Sequence, residues 1–318
     1  MFTFVSMKKW LILTLQFFFI TALYGQTIID LKPGGGVRSK TVDEYRKGEP
    51  GLVEKMRADS LQYKDNLTRA FNALYRDSIA QAERLLNEAL KLRPNAPSNP
   101  IVKHYLARIS MARGQYRKAI SQLTPLIKDE PENRQFRFDR GACFLEIKNT
   151  KAAMEDCNVI FKGEMTPEER LKVLFLRSAI YTESRHPDKA KFDLEEILSI
   201  DPDNESAMLL LAFAYKDIGQ PQEALNRLNL FVASHSKSVE GLVARAELEE
   251  QLKMDDAARA DYDKAISIAP KNASLYVSRA KLLVRLGLNT LAQNDLKKAV
   301  SLGYPLAKAA ELFPKPEP

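Results

Sequence analysis

Residues able to do chemistry are sparse and scattered along this chain of 318 residues. Its three histidines, His104, His186 and His235, form neither an HExxH helix motif nor a paired Cys/His spacing, so no metal site is expected. No glycine-rich phosphate loop ending in Gly-Lys-Ser/Thr occurs. Gly34-Gly35-Gly36 lacks the strand–turn–helix setting in which backbone N–H groups cradle a phosphate. A GxSxG nucleophile turn is missing as well. Cys143 and Cys157 read as two buried thiols; a bridge between them would need an oxidising compartment and a geometry that spacing alone does not fix. No catalytic residue, no metal ligand and no cofactor is therefore expected, and an enzymatic role is not expected either.

One spacing does repeat. Arg140, Arg177, Arg245 and Arg279 are each followed sixteen residues later by an aspartate: Asp156, Asp193, Asp261 and Asp295. Across a helical hairpin two such positions face each other, which predicts a charge-assisted pair between the helices of one hairpin. Equivalent places hold Leu106 with Gln122 and Leu211 with Arg227, whereas Arg69 with Leu85 breaks the rule. The pairs are expected to be architectural.

The elements that would position them show as a period. Ala82, Ala119, Ala153, Ala190, Ala224, Ala258 and Ala292 follow one another at steps of 37, 34, 37, 34, 34 and 34 residues. Twelve residues after four of these alanines stands a proline: Pro94, Pro131, Pro202 and Pro270. Proline cannot continue a helix, so each marks the end of one. Asn133, Asn204 and Asn272 suit the N-cap of the helix that follows, and Asn99-Pro100 reads as an N-cap before a first-turn proline. Thr166-Pro167-Glu168-Glu169 is a capping box. Gly114, Gly219 and Gly287 fall at the turn between paired helices. The longer steps place their extra residues around Ala96-Pro97-Ser98 and Lys162-Gly163-Glu164, both between helices.

From about Asn66 to Tyr304 this lattice resembles the tetratricopeptide repeat family. That pattern is carried by Ala107, Ser110, Ala119, Leu123, Leu126 and Pro131, by Ala212, Tyr215, Ala224, Leu228 and Phe231, and by Ala280, Leu283, Ala292, Leu296 and Ala299. Ala246, Ala258, Tyr262, Ala265 and Pro270 carry it again, with Glu249 where a bulky residue belongs; Ser236 likewise replaces the closing proline. The resemblance implies an all-α fold, a solenoid of helical hairpins with a right-handed superhelical form. About seven repeats would occupy 51–304, as 51–95, 99–133, 134–165, 167–204, 205–238, 239–272 and 273–304. A capping helix over 305–313 and a tail over 314–318 would follow.

The resemblance also implies a concave groove lined by the first helix of each repeat. Its middle would be apolar and aromatic, with Phe138, Phe175, Leu209 and Phe213 as candidate partner-binding residues, and its end polar, with Glu247 and Lys281. The Lys/Asn/Arg clamp with which chaperone-binding members grip a peptide C-terminus is absent. The competing reading makes Phe138, Phe175 and Phe213 ordinary core between repeats. An apolar groove suits an amphipathic or extended protein segment.

The start of the chain bears on location. Met7-Lys8-Lys9 precedes an apolar run from Trp10 to Leu23, too short to span a bilayer, which needs about 20 residues. It matches a signal peptide over 1–25 with cleavage near Gly25, followed by a flexible leader over 26–50. Met1 and Met7 are both open as the start. A periplasmic or secreted protein is expected, without a transmembrane span in the mature chain. Without Lys8 and Lys9 the charge is 46 basic against 41 acidic residues, mild and mixed in sign, so no nucleic-acid partner is expected. Other proteins are the expected partners. Self-association as a homo-oligomeric envelope protein, and binding of anionic glycan or lipid through basic residues, are the alternatives.

Overall fold

The structure, a computed structural model, describes residues 50–310. The expected signal peptide, the leader up to residue 49 and the tail over 314–318 lie outside the described residues. Among the described residues there are fifteen helices and no strand. They fall into two compact units that divide after Pro131.

The first unit holds α1 (Pro50–Tyr75), α2 (Ile79–Leu92), α3 (Asn99–Ala112) and α4 (Tyr116–Asp129). The second holds α5 (Arg134–Glu146), α6 (Thr150–Ile160), α7 (Pro167–Glu183), α8 (Pro187–Ile200), α9 (Glu205–Asp217) and α10 (Pro221–Ser234). It continues with α11 (Val239–Gln251), α12 (Asp255–Ile268), α13 (Ala273–Arg285), α14 (Asn289–Ser301) and the short α15 (Leu306–Ala310). Odd and even helices pair as hairpins, and within each unit each hairpin packs on the next. The rest of the capping helix expected over 305–313 lies outside the described residues.

The periodic alanines explain the pairing. All seven, Ala82 through Ala292, are 0% exposed. Each sits at the end of the first turn of an even helix, where a larger side chain would hold the two helices of the hairpin apart. Opposite them Ala107, Ala212, Ala246 and Ala280 are equally buried. Bulky residues then fill the space between hairpins. Leu174, Leu194, Leu211, Tyr215 and Leu228 form one cluster, and Phe231, Leu242, Tyr262 and Leu275 the next. Each fully buried side chain of this size contributes about 1.5–3 kcal/mol.

All seven hairpin turns use one device. Two residues past each odd helix stands a residue with positive φ whose N–H, with that of the next residue, reaches back to the last free carbonyls. At the fifth turn Gly219 (φ 78°) donates to the Lys216 carbonyl and Gln220 to that of Tyr215, at 3.0 and 2.9 Å. Gly114 and Gly287 do the same, as their positions suggested. Asp77, Lys148, Arg185 and Lys253, with φ of 56–62°, adopt that conformation without being glycine. Tertiary packing overrides a local cost there of about 1 kcal/mol.

The caps are mixed. Thr166 and Glu169 form the reciprocal capping box, at 3.2 and 3.0 Å. Asn204 and Asn272 cap α9 and α13 through the N–H groups of Ala207 and Ser274. Asn133 occupies the N-cap of α5, but its side chain makes no cap bond. Asn99 corrects the sequence reading: Ser98 stands at the N-cap of α3, and Asn99 is buried. The Asn99 amide donates to the carbonyls of Arg93 and Pro94 at 2.8 and 2.7 Å and its oxygen accepts from Tyr63 Oη at 3.1 Å. The extra residues of the first long step fold back onto a polar bracket instead of simply looping out.

Candidate partner-binding face and the hairpin ion pairs

Phe138 on α5, Phe175 on α7 and Leu209 and Phe213 on α9 are all half-buried. Phe175, Leu209 and Phe213 rest on the cluster built from Leu174, Leu211, Tyr215 and Leu228. Leu209 also touches the next cluster. These three are brought together. Phe138 sits instead in an open cleft of about 310 Å³ lined by Gln135, Ile160, Glu169, Lys172 and Val173. A small depression beside Phe213 is lined by Lys216, Glu247, Ala244 and Leu248. Lys216 Nζ lies 5.6 Å from the centre of the Phe213 ring. Towards the chain's end Val243 and Val277, at positions equivalent to Leu209, are buried. The structure thus packs Phe175, Leu209 and Phe213 on the core and leaves each of them partly exposed.

The charged pairs expected from the sixteen-residue spacing all form. Arg140 grips Asp156 with Nε and Nη2 at 2.8 and 2.7 Å, and Arg177 grips Asp193 at 2.9 and 2.5 Å. Arg245 holds Asp261 at 2.6 and 2.7 Å, and Arg279 holds Asp295 at 2.8 and 2.6 Å. All four are bidentate forks joining the two helices of one hairpin. The aspartates are 3–6% exposed, so each carboxylate depends on its partner for the solvation it has lost. The hydrogen bonds it donates to Asp295 are the main reason the Arg279 guanidinium is held above its ordinary range.

The arginines also reach backwards, which the sequence reading did not anticipate. Arg279 Nη1 donates to Asp263 at 2.6 Å and Arg245 Nη1 to Asn229 at 3.0 Å, both on the preceding hairpin. Arg177 lies 3.9 Å from the centre of the Phe161 ring, on the segment after α6. The signal was present: Asn229 and Asp263 precede their arginines by the same sixteen residues. A second link went unread. Arg285 on α13 bridges Glu250 and Asp255 of the previous hairpin at 3.2 and 2.7 Å, and Tyr262 Oη donates to Glu250 at 2.7 Å.

Cys143 and Cys157 are both free and fully buried. Burial pushes both thiols well above the ordinary range, that of Cys157 to about 12. Neither is a nucleophile at neutral pH.

Models of the tetratricopeptide repeat match residues 104–160, 181–246 and 239–272. The chain is a tetratricopeptide-repeat protein. A crystal structure of a tetratricopeptide repeat protein from Parabacteroides merdae is similar at a TM-score of 0.65 and 23% identity, over 79% of this chain and 97% of that one. PilF of Pseudomonas aeruginosa superposes at 0.53 with 17% identity, over 67% and 94% of the two chains. Both show the fold alone. A DnaJ homolog subfamily C member 7 homolog of Dictyostelium discoideum is 25% identical over 243 residues, 70% of this chain; the match spans 43% of that relative's length. The tetratricopeptide-repeat fold is a scaffold for protein–protein interaction. Among the described residues no helix is long and apolar enough to cross a membrane.

Proposed function

We propose that this protein is a non-enzymatic adapter of the bacterial cell envelope that holds an extended or amphipathic segment of another protein along Phe175, Leu209 and Phe213, with Phe138 as a further anchor. One observation carries the reading. Large apolar residues on consecutive odd helices stay partly exposed, while the equivalent Val243 and Val277 are closed off. Rigid aromatic edges on a packed base are what binding hot spots need, because little side-chain entropy is lost on contact. Lys216 and Glu247 beside Phe213 supply a cation and a carboxylate to fix the orientation of a bound segment. The apolar run from Trp10 to Leu23 after Lys8 and Lys9 supports export, and with it the envelope location.

The test places a photo-crosslinking residue at Lys216 in cells of the native host. The natural face should capture one protein in high yield, and Phe175→Ala with Phe213→Ala should abolish capture while helical content stays the same. Capture that survives the double substitution would move the site elsewhere. Fractionation with N-terminal sequencing of the mature chain tests location: a start near Gln26 in the envelope fraction is expected, and an uncleaved cytosolic chain would refute it.

A further inference from the structure

Glu249 replaces the bulky residue of the repeat pattern, and the fold buries it to 6% exposure on α11. Its Oε1 lies 3.9 Å from Nε of Arg245, one turn earlier on the same helix. That guanidinium is already committed to both oxygens of Asp261 on α12 and to Asn229 on α10. Glu249 Oε2 is buried with no hydrogen-bond partner. Two carboxylates therefore share one cation where three hairpin helices meet. An ionised carboxylate with an unmet oxygen is costly in such a place, whereas the neutral acid is tolerated.

We propose that Glu249 is a proton-operated latch: neutral, it sits quietly in the seam between α10, α11 and α12; ionised, it repels Asp261 and loosens the α11–α12 hairpin. The charged groups that face it are Arg245 from α11 and Asp261 from α12, and α10 contributes the neutral Asn229 at the guanidinium. Burial first, and Asp261 second, push the Glu249 carboxyl up to about 7, with Arg245 opposing. The native state therefore holds this proton more tightly than the unfolded chain does. Its contribution is fully present below the ordinary glutamate range near 4.5 and is lost as pH rises through about 7.

Hydrogen exchange on the full chain, corrected for intrinsic rates, tests this at about pH 5.5 and about pH 8.5. Protection of α11 and α12 should fall roughly tenfold to a hundredfold across that range in the natural protein. The reason is that the linked equilibrium changes about tenfold with each pH unit between 4.5 and about 7. Glu249→Gln should remove that dependence. Equal loss in both proteins would overturn the latch. A carbon-13 titration of the Glu249 carboxyl in the natural chain needs no substitution: a midpoint near neutrality supports the proposal, and one in the ordinary carboxylate range rejects it.

Discussion

Hairpins α9–α10 and α11–α12 are neighbours of equal plan, yet the same inner position is filled in opposite ways. In the first, Leu211 is 1% exposed, and Arg227, sixteen residues on, turns outward to Glu223 at 3.2 Å. In the second, Arg245 and Asp261 close the same space as a buried fork. One architecture thus accepts an apolar plug or an ion pair. The difference lies in failure. Losing part of an apolar plug leaves a cavity, whereas losing half of a buried pair leaves an unsolvated charge. The pair also binds the preceding hairpin through Asn229, so it joins three helices where Leu211 offers only nondirectional packing.

The largest expected effect breaks the pair. Asp261→Ala should cost about 3–5 kcal/mol in denaturant unfolding, while Arg245→Leu with Asp261→Leu should come within about 1 kcal/mol of the natural protein or above it. Next, the pair can be transplanted. Leu211→Arg with Arg227→Asp should destabilise α9–α10 by about 1–4 kcal/mol, and Leu211→Arg alone by more. A graft that stabilises would show that the apolar plug is the weaker solution.

The joint between the hairpins gives a third effect. Gly241 in the first turn of α11 abuts Phe231 of α10 so closely that an added Cβ would lie 2.6 Å from ring atom Cδ1. Phe231 is 1% exposed, so a shift of its ring must disturb its packed neighbours. Gly241→Ala should therefore cost about 1–3 kcal/mol by thermal unfolding, although alanine favours helix. The smallest effect concerns the turns. Gly219 and Lys253 share one left-handed conformation at φ 78° and 62°. Lys253→Gly should stabilise by up to about 1 kcal/mol, and Gly219→Lys should destabilise by a similar amount.

Much of this was legible because the period is strict. Alanines at the helix crossings, prolines after helices and a sixteen-residue Arg–Asp spacing each have a single simple geometric meaning in a hairpin. What stayed hidden depended on tertiary detail. Lys148 and Lys253 carry no local mark of a left-handed turn, because the packed hairpin imposes it. Asn99 looks like a cap in sequence and becomes a buried bracket only because Tyr63 and the Arg93–Pro94 carbonyls surround it. Phe175 and Phe213 read equally well as core or groove in sequence, because a half-buried ring packed on a cluster leaves the same pattern as either. Glu249 was visible as a departure from the pattern, but the shortage of donors around it was not.

A double-mutant cycle on Arg245 and Asp261, run beside one on Leu211 and Arg227, measures most directly what holds the hairpins shut. A coupling of about 2 kcal/mol or more in the first and close to zero in the second is predicted. Additive losses at Arg245 and Asp261 would contradict the buried pair as a structural element.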